Sequence, residues 1–210
     1  MLTAAQLLDG LARHRTDEVV VTTMSSARPW GRLSGHPLDF ASIDSAMGHG
    51  ADLALGLALA RPARKVICLN GDGSMLMTLG TLATIVGAAP LNLILFVCDN
   101  GTFEITGNQP VAGSGRVDHA ALAEAAGFRS VYRFDDARAY VETLPEVLTA
   151  LGPTFVHALV KPGAEAPIGR GPNEEVAYLR PSLAESARIL RSALESGPLN
   201  DSTGTTLHRS

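Results

Sequence analysis

The stretch KVICLNGDGS, residues 65–74, joins an apolar run to a turn of glycine and aspartate. A second stretch, LNLILFVCDNGT at residues 91–102, follows the same order. Near-continuous apolar runs with branched residues are typical of strands that are buried on both faces of a parallel sheet. The residues between them, from Met75 to about Ala88, have a helical pattern that ends at Pro90 and supplies the crossover that parallel strands require. This unit predicts an α/β fold.

Strand and helix patterns alternate along most of the remaining chain. Thr3 and Asp118 are predicted helix N-caps, and segment 25–40, with its Pro, Gly and Trp residues, is expected to be a loop outside the core. Strands are expected at 17–24, 129–134 and 153–163, and helices at 4–15, 48–60, 117–128, 137–152 and 183–194. The alternation predicts a doubly wound, mainly parallel sheet with helices on both faces. We expect one domain over residues 1–195 and a disordered tail over residues 196–210.

Composition excludes several classes of protein. The 210 residues include 17 Lys+Arg and 21 Asp+Glu, a formal charge of −4, and 46% are hydrophobic. This apolar share excludes wholesale disorder, and the absence of a basic block argues against nucleic-acid or membrane-surface binding. Cys68 and Cys98 lie inside apolar runs and are expected to be reduced core residues, too few for an iron–sulfur cluster. Without a signal-like or membrane-spanning stretch, we expect a cytoplasmic protein.

Polar residues follow both buried strands where each strand ends. Ligands of open α/β sheets bind at the carboxyl ends of strands, and the amides of Gly73 and Ser74 at a helix start attract phosphate. Asp72 and Asn100 offer hard oxygen ligands that suit Mg²⁺ together with diphosphate oxygens and a backbone carbonyl. Each motif alone is more often an ordinary turn. Their pairing on successive strands favours a binding site.

This pairing resembles the diphosphate-binding signature of thiamine-diphosphate enzymes, in which GDG is followed some two dozen residues later by Asn. Here 25 residues, from Ser74 to Cys98, separate GDG from the DN pair. By this resemblance the Asp72 and Asn100 side chains and the Thr102 main-chain carbonyl hold Mg²⁺. The implied cofactor contacts around the diphosphate are Gly71, Gly73 and Ser74.

The segment SAMGHGADLALGLALA, residues 45–60, resembles part of the sulfopyruvate and phosphonopyruvate decarboxylases of that family. The resemblance implies that Met47 wedges the cofactor into a V shape, and that the Ser45 carbonyl and Met47 N–H face its aminopyrimidine. Ser45 stands where the family usually has Gly. In the stretch NGTFEITGNQP, Glu104 replaces a small residue of many decarboxylases and Asn108 replaces a usual Gly. The resemblance covers roughly residues 1–165.

The family chemistry implies a 2-oxo acid decarboxylase that works through an ylid and an enamine supplied by thiamine diphosphate. An acyloin or acetolactate-type carboligase shares these motifs and stays open. The family activates its cofactor with a glutamate from a separate pyrimidine-binding domain, and neither Glu104 nor Glu124 is a credible substitute. We therefore expect a partner subunit that carries this domain, in a heterodimer, an α2β2 assembly or a larger one, as in split sulfopyruvate decarboxylases.

Further candidate residues flank the site. His49 follows the Met47–Gly48 turn and is a candidate proton donor, although a histidine at a helix start can equally contact backbone or a partner. Arg28, Arg32 and Arg116 are candidates for binding an anionic substrate group, and solvation of these loop arginines is the alternative.

Three other classes compete with this interpretation. A nicotinamide-binding domain would need a third Gly, but Leu76 and Leu53 occupy that place after GDG and GHG. A 2-oxoacid:ferredoxin oxidoreductase subunit shares the cofactor but would need cluster cysteines. A non-catalytic scaffold is disfavoured because Asp72 and Asn100 are both present.

Overall fold

The computed structural model of this chain describes residues 1–44 and 47–196. The strands are β1 Leu2–Thr3, β2 Val19–Thr23, β3 Asp39–Ser42, β4 Val66–Gly71, β5 Leu93–Asp99, β6 Thr102–Phe103, β7 Gln109–Pro110, β8 Ser130–Phe134 and β9 Thr154–Lys161. The helices are α1 Ala4–His14, α2 Met24–Leu33, α3 Gly50–Ala60, α4 Asp72–Met77, α5 Thr81–Ala88, α6 His119–Ala126, α7 Ala137–Thr149 and α8 Leu183–Ser196. Short 3₁₀ turns lie at Glu104–Thr106 and Ala177–Leu179.

The main sheet is parallel and has seven strands within the described part of the chain. Its order is β1, β9, β5, β4, β2, β3, and β8 also pairs with β9. The short β6 and β7 form a separate antiparallel ribbon. In the sheet centre, Gly71 at the end of β4 pairs with Cys98 near the end of β5. The predicted α/β, doubly wound sheet is confirmed, and the two polar turns leave it side by side.

Two apolar cores lie on opposite faces of the sheet. One face packs against α3, α5, α6 and α8, through side chains such as Ala54 and Ile85. The other packs against α1, α2 and α7, through Trp30 and Tyr140, which are both fully buried. Thr3 caps α1 by accepting from the Gln6 N–H, as predicted. With helices on both faces, the carboxyl edge of the central strands is where polar groups can gather.

The prediction of a loop over segment 25–40 was wrong for most of its residues: residues 34–38 connect α2 to β3 as a loop, whereas the rest are helix or strand. This segment begins inside α2, and Trp30 lies in the core with none of its surface exposed. Ser26 and Thr23 close a capping box at the helix start. Pro29 removes one helical hydrogen bond, and we infer that the burial of the Trp30 indole outweighs this loss. Residues 39–42 then form the edge strand β3 rather than a loop.

The single helix predicted from Met75 to about Ala88 is instead two helices. Helix α4 begins at Asp72 and ends at Met77, and α5 begins at Thr81. At the break, the Thr78 hydroxyl donates to the Gly48 carbonyl over 2.8 Å. This hydrogen bond thus connects the turn before α3 to the break between α4 and α5.

Residues 162–182, which we call the strap, connect β9 to α8 with one 3₁₀ turn. The Tyr178 hydroxyl donates to the Ala27 carbonyl, and Arg170 pairs with Asp44, so side chains hold the strap against the sheet. No helix among the described residues is long and apolar enough to cross a membrane. The tail predicted over residues 196–210 lies, beyond Ser196, outside the described residues, and the domain boundary stays a prediction.

Candidate functional site

The ends of β2, β4 and β5 enclose a cavity of about 100 Å³. It is lined by most of the residues predicted from the sequence: Met47, Gly71, Asp72, Gly73, Ser74, Asn100 and Thr102. Pockets that hold a whole small ligand usually measure about 300–1,000 Å³. The cavity formed by the described residues is therefore too small to hold a whole small ligand. Ser45, predicted to contact the cofactor, lies outside the described residues.

The pKa of Asp72 is strongly shifted by its surroundings in this cavity. Its side chain is buried and accepts a hydrogen bond from the Gly101 N–H over 3.1 Å. Burial, followed by the charge of nearby Asp99, raises the pKa of Asp72 to about 7. Both effects penalise a negative charge that has no positive partner. A carboxylate in this state favours a bound cation.

Asp99 is held in the opposite state by a histidine. The His157 ring Nε2 lies 2.9 Å from an Asp99 carboxylate oxygen, and the His157 side chain is buried. Burial alone would raise the pKa of Asp99, but the hydrogen bond and charge of His157 outweigh it and lower the pKa. The charge of Asp99 therefore persists beside Asp72 and increases the preference of the site for a cation.

Asn100 presents its amide in a defined orientation. Its Oδ1 accepts from the Thr102 N–H over 3.0 Å, and its Nδ2 donates to the Glu104 carboxylate over 2.9 Å. An amide oxygen has two lone pairs, so Oδ1 keeps one for a metal. Asp72 and Asn100 thus supply two hard oxygen donors from neighbouring strand ends, the chemistry that Mg²⁺ prefers.

The donor set fits Mg²⁺ bound together with a diphosphate. The described residues contain no group of three or more His, Cys, Asp or Glu side chains arranged around a metal. Mg²⁺ usually keeps only one or two carboxylates and completes its octahedron with waters and phosphate oxygens. None of the described residues that line the cavity is Lys or Arg, so a cation rather than a side chain must balance Asp72 when it is ionised.

Gly73 lies against an aromatic ring at the floor of the cavity. A Cβ on Gly73 would lie 2.4 Å from Cε1 of Phe103, far inside van der Waals contact. Only glycine is compatible with this approach, so the second Gly of GDG has a packing reason in this fold.

The other predicted residues differ in their placement. Met47 lines the cavity with 48% of its surface exposed, so part of it is free to meet another molecule. His49 lies outside the lining: its side chain is 52% exposed and its Nδ1 lies 2.6 Å from Asp52. The structure thus brings Met47 to the site and not His49, whose catalytic role stays a prediction.

Of the three arginines predicted to bind an anionic substrate group, Arg28 and Arg32 lie in α2 and are paired with the strap. Arg116 is exposed. Arg28 donates to Glu174 over 2.5 Å and to two strap carbonyls. Arg32 pairs with Glu165 over 2.6 Å and with Glu175 over 2.7 Å. These arginines hold the strap, and the sequence did not reveal it because their partners lie more than 130 residues away.

Several lining residues were missed from the sequence. Thr23, Met24 and Ser25 at the end of β2 form part of the cavity wall. The rule that ligands bind at the carboxyl ends of strands could have identified them, had it been applied to β2. Glu104, whose direction the sequence left open, faces the cavity. Its contacts with Asn100 and the strap could not be read from spacing.

Comparison with known proteins identifies the family of this chain. Residues 22–158 match the family described as thiamine pyrophosphate enzyme, C-terminal TPP binding domain. The chain is 37% identical over 194 residues to a phosphonopyruvate decarboxylase of Streptomyces viridochromogenes, an alignment that covers 92% of this chain and 46% of that protein. The chain thus spans about half the length of that relative.

Two further similarities define the fold and extent of the match. The chain is 35% identical to the sulfopyruvate decarboxylase subunit beta of Methanothermobacter thermautotrophicus, covering 80% of this chain and 88% of that subunit. The benzoylformate decarboxylase of Polynucleobacter necessarius superposes with a TM-score of 0.66 at 20% identity, over 78% of this chain and 34% of the other, which shows the fold alone. This chain belongs to the thiamine pyrophosphate enzyme family and corresponds to its C-terminal, cofactor-binding domain.

Proposed function

We propose that the chain is the diphosphate- and Mg²⁺-binding subunit of a heteromeric thiamine-diphosphate-dependent 2-oxo acid decarboxylase. One observation carries the proposal: buried Asp72 and oriented Asn100 lie at neighbouring strand ends, in a cavity wall without Lys or Arg among its described residues. Relatives named phosphonopyruvate decarboxylase and sulfopyruvate decarboxylase subunit beta support the reaction class.

The residues of the cavity wall divide between the metal and the organic cofactor. Asp72, the Asn100 Oδ1 and the Thr102 carbonyl hold Mg²⁺, which in turn binds the diphosphate. Backbone groups of the GDGS turn, at Gly71, Gly73 and Ser74, receive the diphosphate directly. Met47 contacts the aminopyrimidine side. When bound, thiamine diphosphate would supply an electron sink for cleavage between the carbonyl carbon and the carboxylate; this chain positions it.

A second polypeptide supplies the activating glutamate. Asp72 and Glu104 are the carboxylates among the described cavity-lining residues. Asp72 is assigned to the metal, and Glu104 accepts hydrogen bonds from Asn100 and from the Glu165 N–H. Neither is available to a cofactor ring. The relative that this chain covers to 88% is named a beta subunit, which supports a partner on a separate chain.

The substrate is a small 2-oxo acid with a second anionic group, of the sulfopyruvate or phosphonopyruvate class. The names of the relatives support this class. Because Arg28 and Arg32 are paired with strap glutamates, the cation that binds the sulfonate or phosphonate is the exposed Arg116 or a residue of the partner. A carboligase of the acyloin or acetolactate type remains the alternative, since it uses the same metal and diphosphate contacts.

The test is co-expression with candidate pyrimidine-domain subunits, followed by CO₂ release from sulfopyruvate and phosphonopyruvate with thiamine diphosphate and Mg²⁺. We expect turnover by the complex and none by either chain alone. Product analysis with and without an aldehyde acceptor separates decarboxylase from carboligase. Full turnover by this chain alone would contradict the heteromeric assignment, and an Asp72→Ala complex as active as wild type would contradict the site.

A further inference from the structure

Glu104 links the metal-binding loop to the strap through both of its carboxylate oxygens. Oε2 accepts from Asn100 Nδ2 over 2.9 Å, and Oε1 accepts from the Glu165 N–H over 2.9 Å. The carboxylate also lies on Gly163, where an added Cβ would be 2.4 Å from Oε1. Asn108 strengthens the same junction by donating to the Gly163 carbonyl over 3.0 Å. One side chain therefore joins β5, the following turn and the strap.

The orientation of the Asn100 amide decides whether it can hold a cation. Rotation by 180° exchanges Oδ1 and Nδ2, and only the oxygen can ligate a metal. A carboxylate accepts hydrogen bonds but cannot donate them when ionised, so Glu104 selects the orientation in which Nδ2 faces it. The Thr102 N–H, which donates to Oδ1, selects the same orientation. Two independent contacts thus fix the direction of the oxygen, toward the Thr102 N–H.

We propose that Glu104 is a positioning residue of the metal site: it holds the Asn100 amide with Oδ1 directed to Mg²⁺, and the strap holds Glu104. The inference rests on the proposed Mg²⁺ site. In this role Glu104 acts through Asn100 and is not assigned to the metal: its two carboxylate oxygens contact Asn100 Nδ2 and the Glu165 N–H.

The strap makes this arrangement rigid before any cofactor binds. The Glu165 side chain is paired with Arg32 over 2.6 Å and lies 3.5 Å from the Arg28 guanidinium. Arg28 also donates to the carbonyls of Ala166 and Pro167. The backbone that donates to Glu104 is therefore anchored on both sides of the contact. A residue that orients a metal ligand typically changes metal affinity about 10- to 100-fold when it is removed.

The inference is tested on the purified full chain by titrating Mg²⁺ at saturating thiamine diphosphate, with calorimetry and thermal shift as readouts. Glu104→Ala is expected to raise the Mg²⁺ dissociation constant about 10- to 100-fold. Glu104→Gln keeps one acceptor for Asn100 Nδ2 and is expected to fall between wild type and Glu104→Ala. The control Glu124→Ala removes an exposed carboxylate on α6, outside the cavity lining, and is expected to bind Mg²⁺ as wild type does.

A double-mutant cycle separates positioning from a merely structural tether. In Asn100→Asp both side-chain terminal atoms are oxygens, so orientation no longer matters and residue 100 no longer donates to Glu104. Adding Glu104→Ala to Asn100→Asp is therefore expected to lower Mg²⁺ affinity much less than the same change does in the wild type, because only the longer-range attraction of the Glu104 charge is lost. Urea unfolding without cofactor checks each variant; if Glu104→Ala does not fold, Glu104→Gln replaces it in the cycle.

The outcomes are distinguishable. Wild-type affinity in Glu104→Ala, or an equal loss in the wild-type and Asn100→Asp backgrounds, would overturn the positioning role. An equal loss in Glu124→Ala would also overturn it, because the loss of a carboxylate charge rather than the position of Glu104 would then be responsible. Absence of Mg²⁺-dependent cofactor binding in the wild-type chain would instead overturn the proposed function on which the inference rests.

Discussion

Asp72→Asn is expected to stabilise the cofactor-free chain while removing its metal site. Asp72 has a pKa of about 7, against an ordinary value of 3.8, because it is buried and lies beside Asp99. Since the folded-state pKa exceeds the unfolded-state value, the folded chain retains a proton between about pH 4 and pH 7 that the unfolded chain releases. The free energy of unfolding of the wild type therefore falls as pH rises through this window.

The magnitude follows from the size of the shift. About three pKa units at about 1.4 kcal/mol each give an upper limit of ~4 kcal/mol at pH 8. Solvent screening at the open side of the cavity reduces this limit, and we halve it to about 2 kcal/mol. At pH 5 the folded carboxyl is protonated, and the same reasoning leaves less than about 1 kcal/mol.

The assay is urea unfolding without cofactor at pH 5 and pH 8, followed through the single tryptophan, Trp30, which is fully buried. Asp72→Asn is expected to exceed the wild type in unfolding free energy, by more at pH 8 than at pH 5. Asp9→Asn, which removes an exposed ion pair with Arg13, is the matched control and is expected to change stability by less than about 1 kcal/mol. An Asp72→Asn chain no more stable than wild type at pH 8, or an advantage independent of pH, would refute the reasoning.

Three more predictions concern packing and the strap. Gly73→Ala directs a Cβ into the Phe103 ring. The variant is expected to lose about 1–3 kcal/mol of unfolding free energy in urea and to lose cofactor binding. Unchanged stability would contradict the contact. Asn92→Ala removes an amide that donates to three backbone carbonyls and is expected to cost about 1–3 kcal/mol, whereas a neutral result would show that water replaces it. Arg28→Ala leaves Glu174 unpaired and is expected to speed limited proteolysis within the strap; an unchanged proteolysis rate would contradict the anchoring role of Arg28. Because Arg28 lowers the pKa of Glu174, the protection that Arg28 gives the wild-type strap should be present above the ordinary pKa of this carboxyl. That protection should decline as pH falls below this value.

Local patterns predicted the parallel sheet and the line of cavity residues from Gly71 to Ser74. These features depend on short-range signals: apolar runs, N-caps such as Asp118, and polar turns at strand ends. Segment 25–40 was predicted wrongly because Pro29 suggests a loop, while the burial of Trp30 is a tertiary effect that no local pattern records.

The contacts that orient the site could not be predicted from the sequence. The Asp99–His157 pair joins residues 58 positions apart, and the Glu104–Glu165 contact joins residues 61 positions apart. Both depend on the order of β5 and β9 in the sheet and on the path of the strap. Spacing identified the candidate ligands, and the fold adds the groups that set their charge and orientation.

The assignment of Asp72 as a ligand of Mg²⁺ is tested most simply by calorimetric titration of the full chain with thiamine diphosphate. The titration is done with and without Mg²⁺, for wild type and Asp72→Asn. We expect the wild type to bind thiamine diphosphate saturably and only with Mg²⁺. We expect Asp72→Asn to lose that binding although the variant is the more stable protein. Binding that needs no Mg²⁺, or that survives Asp72→Asn unchanged, would contradict the assignment of Asp72 as a metal ligand.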